Sequence, residues 1–591
     1  MLRWDSIFKD FDHFYKCLRF ERGLLFLKII FHKQINTKLM KLTYTSLLLL
    51  FIFKIAPIKG QNASFSTSNL PIIKVNTNKR TIVNEPKILA DMEVIYNGMG
   101  KINTVTDKPT GYLGKTGIEL RGSTSQQFFP KKPYGIELWV DSTQKSRKIA
   151  LLGMPEESDW VLNATYNDKT LMRDVLSYDL ANRIGRYATR SRYCEMVING
   201  NYEGLYILME KVKRDKNRVD VSSLKLTDNT GDDVTGGYIL KIDKTEGSKS
   251  KLWNTTLTVG TQTFTIPIQI EYPKITDITD AQFNYIKKYV TDFETSLNGA
   301  DYLTPKAQWR DMIDIDTFVD YFLITEFTKN VDGYRLSTYF YKDKDSKGGK
   351  LKMGPAWDYN LAFGNVDYLE GYKTTGWQYK INDLAIPAKD TYFLAPTWWE
   401  RLAVDSTFRV KASKRWEVLR KTAFSSDRIN NWIDSTANVL QEPKNRNFSR
   451  WTGVLGKYVW PNYYVGATYE NETMWMKDWI RQRTAWLDAQ LKVFGQPLAN
   501  ENEIIKESPL KIFPNPTESE TTIEYVVLKK GRVKINVFDL TGRLLKTLID
   551  EEKNVKTYQI KLESENFSTG MYLIDYQLDG IPIESVRIIK K

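Results

Sequence analysis

This sequence predicts an α+β fold: a strand-rich front lobe, a helical back lobe and a small C-terminal β-sandwich. Three observations carry that reading. From 62 to about 278, short apolar runs alternate with turns, as half-buried strands do. After about 280, apolar residues recur every three or four positions, as on one face of a helix. From 510 to the end, short alternating runs return between turn pairs such as Thr541-Gly542 and Asp579-Gly580, the spacing of a small sandwich.

Taken in order, residues 1–61 read as a leader. A positive start at Met40-Lys41, an apolar run over 47–53 and a small-residue exit over 56–61 have the layout of a secretory signal peptide. That run is shorter than the roughly 20 residues a membrane-crossing helix needs, so the mature chain is expected to have no transmembrane span. Translation is read as starting at Met40, with 1–39 an upstream extension. The apolar residues over 24–31 leave a longer leader or an anchor open. Strands are expected at 70–75 and 87–96, then across 113–245 around one helix, 168–184. Leu171, Val175, Leu176, Leu180 and Ile184 share one face of that helix. Further helices are expected at 281–297, 316–328, 398–404, 408–423 and 426–440, with Trp and Tyr recurring through 451–486. The polar stretch 500–509 reads as a linker between a 62–499 domain and a 510–591 domain, the latter with strands at 533–539, 557–562 and 571–578.

Composition removes whole classes of chemistry. At 591 residues, with 26% charged and 42% hydrophobic content, the chain belongs to ordered multidomain proteins. Its two histidines, His13 and His32, both lie in the leader, which excludes Ser-His-Asp and Cys-His mechanisms and most zinc sites from a mature chain. Cys17 is there too, leaving Cys194 without an intrachain disulfide partner. The net charge of +14 is spread among acids, as in Glu210-Lys211-Val212-Lys213-Arg214-Asp215, and reads as solvated basic surface; no nucleic-acid partner is expected.

Two acids stand out. Asp332 follows Asn330, and Asp358 lies in Trp357-Asp358-Tyr359-Asn360; between them are the apolar runs 336–341 and 351–353. The layout reads as a hairpin with one acid near each end. Mg²⁺ prefers oxygen ligands and commonly takes one or two carboxylates plus phosphate oxygens. Asp358-x-Asn360 lacks the later acids of an EF-hand.

Five ordered blocks then give a resemblance. They are Leu120-Arg121-Gly122-Ser123 with Pro130-Lys131-Lys132-Pro133-Tyr134-Gly135; Asp159-Trp160-Val161-Leu162-Asn163 with Asp168 to Arg173; Glu203-Gly204-Leu205-Tyr206 running to Glu210-Lys211; Gly236-Gly237-Tyr238; and the acid hairpin. Over roughly 70–490 the chain resembles the CotH family, named for spore coat protein H. Strands, acid hairpin and helices also come in the gross order of a kinase-like two-lobed fold. The resemblance implies an atypical, secreted protein kinase that transfers phosphate from ATP to Ser or Thr of surface or secreted proteins, with Mg²⁺ or Mn²⁺. It also implies roles. Lys132, with Lys131 as the neighbouring alternative, grips the nucleotide phosphates, and Glu210 holds that lysine. Arg121 and Ser123 cover phosphates. Asp358 is the main metal ligand, with Asn360 a weaker one. Asp332 orients or deprotonates the acceptor hydroxyl, or shares the metal; the His-Arg-Asp of conventional kinases is missing.

The tail, with Phe513-Pro514-Asn515-Pro516, Asp539-Leu540-Thr541-Gly542-Arg543, Gly570-Met571-Tyr572-Leu573 and a basic end, resembles the sorting domain of the type IX secretion system of Bacteroidetes. That implies the type IX translocon as a partner and a place outside the outer membrane. Such a destination, where ATP is scarce, keeps a second reading open: a non-catalytic structural or adhesive surface protein retaining a kinase-like fold.

Overall fold

Seven strands in the front part of the chain close on one another into a barrel. They are β1 (Ile72–Asn76), β2 (Ile88–Ile95), β3 (Tyr112–Leu120), β4 (Tyr134–Trp139), β5 (Asp159–Asn163), β6 (Ser191–Ile198) and β7 (Asn201–Glu210). The spatial order is β1-β2-β3-β4-β5-β7-β6, antiparallel throughout except where β6 meets β1 in parallel to close the ring. Closure removes unpaired sheet edges. Alternate residues such as Ile73, Val75, Met92, Ile136, Leu138, Trp160 and Leu162 fill the interior. On β7 both faces are buried: Tyr206 and Leu208 pack in the barrel, while Leu205, Ile207 and Met209 join the larger core outside it. That strand therefore reads as one unbroken apolar run. The structure is a computed structural model that describes residues 65–245, 250–496, 509–527, 530–539 and 542–591. The expected leader and residues 500–508 of the expected linker lie outside the described residues.

A second, antiparallel sheet follows, of β8 (Tyr238–Ile242), β9 (Leu252–Val259), β10 (Gln262–Tyr272), β11 (Thr338–Lys342) and β12 (Leu351–Met353), in the order β9-β10-β8-β11-β12. The expected hairpin is β11 with β12, in register Phe340 to Met353 and Lys342 to Leu351. Around it lie α1 (Arg173–Arg183), α2 (Asp280–Asn298), α3 (Ile315–Thr328), α4 (Ser406–Lys421), α5 (Ser426–Val439), α6 (Gln441–Arg450) and α7 (Tyr469–Phe494). Thr279 and Gln282 form a capping box that starts α2, and Asp314 caps α3 through the Thr317 N–H.

Two elements differ from expectation. Helix α1 begins at Arg173, not 168, because the Asp168 carboxylate accepts from the Thr170 and Arg173 N–H groups and Leu171 sits at φ 62°, outside helical space. Helix α7 occupies the stretch read only as aromatic-rich. Its buried face carries Glu472 and Arg483 among Tyr469, Met476, Ile480, Leu487 and Leu491, and those charges mask the 3.6-residue period. Among the described residues no helix is long and apolar enough to cross a membrane.

In the tail, β13 (Leu510–Phe513), β14 (Glu520–Val527) and β17 (Lys556–Glu563) form one sheet. β15 (Gly531–Phe538), β16 (Leu544–Lys553), β18 (Gly570–Leu578) and β19 (Ile581–Lys590) form another. Ile523, Tyr525 and Leu562 of the first share a core with Val533, Ile535, Ile574 and Tyr576 of the second.

Candidate functional site

Asp332 stands in the turn after α3, which ends where Lys329 adopts the left-handed conformation at φ 46°. The Asp332 carbonyl accepts from the N–H groups of Arg335 and Leu336, and its carboxylate meets the Arg335 guanidinium at 3.3 Å. Burial raises the Asp332 pKa, with Arg335 and Lys244 opposing.

Asp358 lies beyond β12 at φ 64°, a left-handed position that Asp tolerates better than most residues. The surroundings hold it there. Its N–H donates to the Tyr178 hydroxyl (3.0 Å), its carbonyl accepts from Asn330 (3.1 Å), and the next N–H, of Tyr359, donates to Asp174 (2.7 Å). Asp174 and Tyr178 are one turn apart on α1, so that helix supports the acid loop. Arg173 adds a bond from its Nε to the Ala362 carbonyl at 3.1 Å. Two sequence blocks thus build one scaffold through contacts that span 180 to 189 residues.

Asp358 is exposed to solvent yet densely enclosed by protein, as a group on the wall of a cleft is. That enclosure raises its pKa to about 6, with the negative charges of Asp332 and Asp243 adding and those of Arg121 and Lys244 opposing. The same surroundings raise Asp174 to about 7, by burial first and Asp358 second. Asp332, Asp358, Asp243, Arg121 and Lys244 therefore face one space. Strand pairing explains part of the convergence: β8 sets Lys241 opposite Tyr339 of β11, and Asp243 follows two residues on, on the same face. Lys244 bonds Thr124 at 2.7 Å, tying the Arg121–Thr124 turn to this space, and Arg121 lies over the Trp357 ring at 5.1 Å. Gly122 at φ 85° makes that turn; a Cβ there would fall 2.2 Å from the Ser125 Oγ.

The lysine assignment needs correction. Lys132 Nζ bonds the carbonyls of Gln126 and Phe129, and Lys131, buried, bonds Leu205 O and Asn447 Oδ1 across the Tyr206 ring. Burial lowers the Lys131 pKa to about 7. Glu210 pairs with neither: Arg190 holds its carboxylate at 2.8 and 3.0 Å, with the Tyr187 hydroxyl at 3.1 Å and Arg218 at 3.6 Å. The reason is the period of β7. Glu210 follows Tyr206 and Leu208 to the barrel side, whereas Lys211 shares the parity of Leu205, Ile207 and Met209 and points the other way. There Lys211 feels Glu271, Arg121 and Asp159, with burial lowering its pKa. Among the described residues the Lys211 ammonium makes no hydrogen bond or ion pair. The nearby Lys241 pairs with Glu271 at 3.1 Å.

Of the remaining expected residues, Ser123 is exposed at the head of the short helix Thr124–Phe128. The Asn360 amide donates to Asn167 Oδ1 at 3.1 Å, so its nitrogen braces the loop. The structure thus gathers Asp332, Asp358 and Arg121, leaves Lys131, Lys132 and Glu210 in other contacts, and adds Lys211, Asp243, Lys244 and Glu271. The i, i+2 spacing of Lys241 and Asp243 on a strand was the available signal for that face.

Two carboxylates without histidine or thiolate form a hard-oxygen set suited to Mg²⁺ or Mn²⁺, with other positions left to phosphate oxygens and water. Among the described residues no group of three or more His, Cys, Asp or Glu is placed to hold a metal ion by itself.

A mixed α/β protein in which two acids share a cleft with Arg121 and Lys244 is the class this geometry defines. Residues 118–487 match the family model described as CotH kinase protein, and 511–591 match that described as secretion system C-terminal sorting domain. The first match covers more than half of the chain, and the chain belongs to the CotH family. It is similar to inner spore coat protein H of Bacillus subtilis (strain 168), with 25% identity over 255 residues, 42% of this chain; the match spans 58% of that relative's length. A solved structure of Pseudomonas fluorescens alkylpurine DNA glycosylase AlkC, bound to DNA containing an abasic site analog, is 10% identical and covers 51% of this chain and 97% of its own. Its TM-score of 0.12 is too low for the likeness to carry any argument. The sorting domain indicates export across the outer membrane, to the cell surface or beyond, by the type IX machinery.

Proposed function

We propose that the protein is a secreted atypical protein kinase, transferring phosphate from ATP to Ser or Thr of surface or secreted proteins with the help of Mg²⁺ or Mn²⁺. One observation carries this reading: Lys211, Arg121 and the Asp358 carboxylate are charged, enclosed by the same cleft, and bonded to no other described side chain. Charges of both signs that face one space without pairing suit a ligand that carries the complementary charges. A metal-bound triphosphate supplies both signs at once.

In this reading Asp358 would be the main residue holding the cation, which when bound would neutralise charge on the transferred group. Lys211 takes the phosphate-gripping role first expected of Lys132, with Arg121 beside it. Glu271 and Lys241 brace that cationic face. Asp332, fixed by Arg335, orients the acceptor hydroxyl and accepts its proton. The kinase-like two-lobed arrangement is part of the proposal, supported by the order of barrel, sheet and helices; so is the sandwich form of the tail, supported by its shared core.

Incubation of the purified protein with labelled ATP, Mg²⁺ or Mn²⁺ and a Ser-rich acceptor tests the reading. Incorporation that is lost in Asp358→Ala supports it; incorporation unchanged in that variant removes the proposed role. A non-catalytic adhesive protein is favoured by one observation, the exposed Tyr458, Trp460 and Tyr463. Under that alternative, nucleotide with Mg²⁺ leaves the melting temperature unmoved.

A further inference from the structure

A cavity of about 270 Å³ lies between residues 372–375, Tyr463 and one face of α7, and no residue of the acid cleft lines it. Its walls are aromatic. Tyr372 and Tyr463 stack with centroids 4.0 Å apart and planes 6° from parallel. Trp475 stacks on Tyr464 at 5.0 Å and 4°. Tyr463 is 49% exposed and Val465 39%, so one stacked pair presents apolar area to solvent. Clustered exposed apolar surface of this kind marks a place that something covers.

The rim is polar and electrically balanced. Asp478 pairs with Arg481 at 2.6 Å and accepts from the Gln482 amide at 2.7 Å; Lys373 pairs with Glu370 at 2.7 Å. Thr374 completes the rim. A phosphate or a nucleotide needs surplus, unpaired cations, which the acid cleft has and this cavity lacks. A long apolar ligand would make no use of the carboxylate and amide at the rim. A neutral pyranose ring matches both surfaces: a C–H face lies flat on an aromatic ring, and edge hydroxyls exchange hydrogen bonds with a carboxylate and an amide. Ligand pockets combine apolar walls with a few placed polar groups in this way.

We propose that this cavity is a saccharide-binding subsite that takes one neutral sugar unit of a glycan chain, on Tyr463 and Trp475, with Asp478 and Gln482 binding its hydroxyls. Its volume, near the lower bound of about 300 Å³ for small-molecule pockets, suits a single unit rather than a whole oligosaccharide. The proposal stands independently of phosphate transfer: it concerns where the exported protein rests, or which glycosylated acceptors it retains.

The test applies the purified full chain to an array of neutral oligosaccharides ending in glucose, galactose, mannose or N-acetylglucosamine. Titration calorimetry follows with the tightest-binding member. Saturable binding is expected, weakened at least tenfold in Tyr463→Ala and in Gln482→Ala, with melting temperatures and phosphate transfer unchanged. Both side chains are exposed, so a folding defect is not expected, and the melting temperature checks it. Binding to no member, binding only to charged glycans, or affinity unchanged in both variants would overturn the proposal.

Discussion

Asp358 shows how one side chain couples stability to chemistry. Its pKa, raised to about 6 by enclosure and by Asp332, means the folded protein holds a proton that the unfolded chain has already released. Stability from this group, and from Asp174, therefore falls as pH rises from about 4 towards 7, since the native state binds more protons over that range. Asp358→Asn is expected to raise the melting temperature of the nucleotide-free protein at pH 7.5 while cutting transfer at least about a hundredfold; calorimetry and the labelled-ATP assay read the two effects. Metal binding needs the ionised form, so the Mg²⁺ concentration that gives half-maximal transfer should rise as pH falls below about 6. A Mg²⁺ requirement unchanged down to about pH 5 would remove Asp358 as ligand. Lys211→Ala should raise the KM for ATP about tenfold or more, whereas Lys132→Ala, whose ammonium serves local carbonyls, should leave it nearly unchanged.

At the scale of elements, the acid loop is only as rigid as helix α1 beneath it. Asp174 accepts from Tyr359 N–H, Asn163 and Tyr178, and Asp174→Ala would leave those buried donors unpaired, a loss of about 1–3 kcal/mol. Because the loop would shift, nucleotide with Mg²⁺ should stabilise this variant less than the parent, as thermal-shift measurements would show. Helices α3 and α7 are cross-linked by the fully buried pair of Glu326 and Arg483, at 3.2 Å. Glu326 also accepts from the N–H groups of Gln378 and Tyr379, both at 2.7 Å. Removing one partner strands the other charge in the core, so Glu326→Ala should cost about 3–5 kcal/mol in denaturant unfolding. These elements were unevenly legible. Helices α2 and α5 and the β11–β12 hairpin carry clean periodicity, and α3, buried on every face, is legible as an apolar run behind its Asp314 cap. The start of α1 and the whole of α7 do not, because Asp168, Glu472 and Arg483 are polar groups whose partners come from elsewhere in the chain.

For the whole molecule, the sorting domain predicts that a chain lacking 510–591 is absent from the cell surface and the medium, retained behind the outer membrane. Fractionation with immunoblotting reads this directly; surface display of the truncated chain would contradict it. The seven-stranded barrel matters to the site because β7 serves two cores. One residue's difference in parity sends Glu210 to Arg190 and Lys211 to the cleft.

The order of strands, hairpin and helices, the lack of any histidine beyond residue 32, and the paired acids were all determined by the sequence alone, because each depends on local period, composition or short spacing. Which lysine faces the acid cleft, and the joining of Arg121, Lys211, Asp243 and Lys244 to Asp332 and Asp358, were decided only by the tertiary structure. Strand register sets which face a side chain takes, and barrel closure sets which distant strands meet. Neither quantity is written in any local stretch of residues.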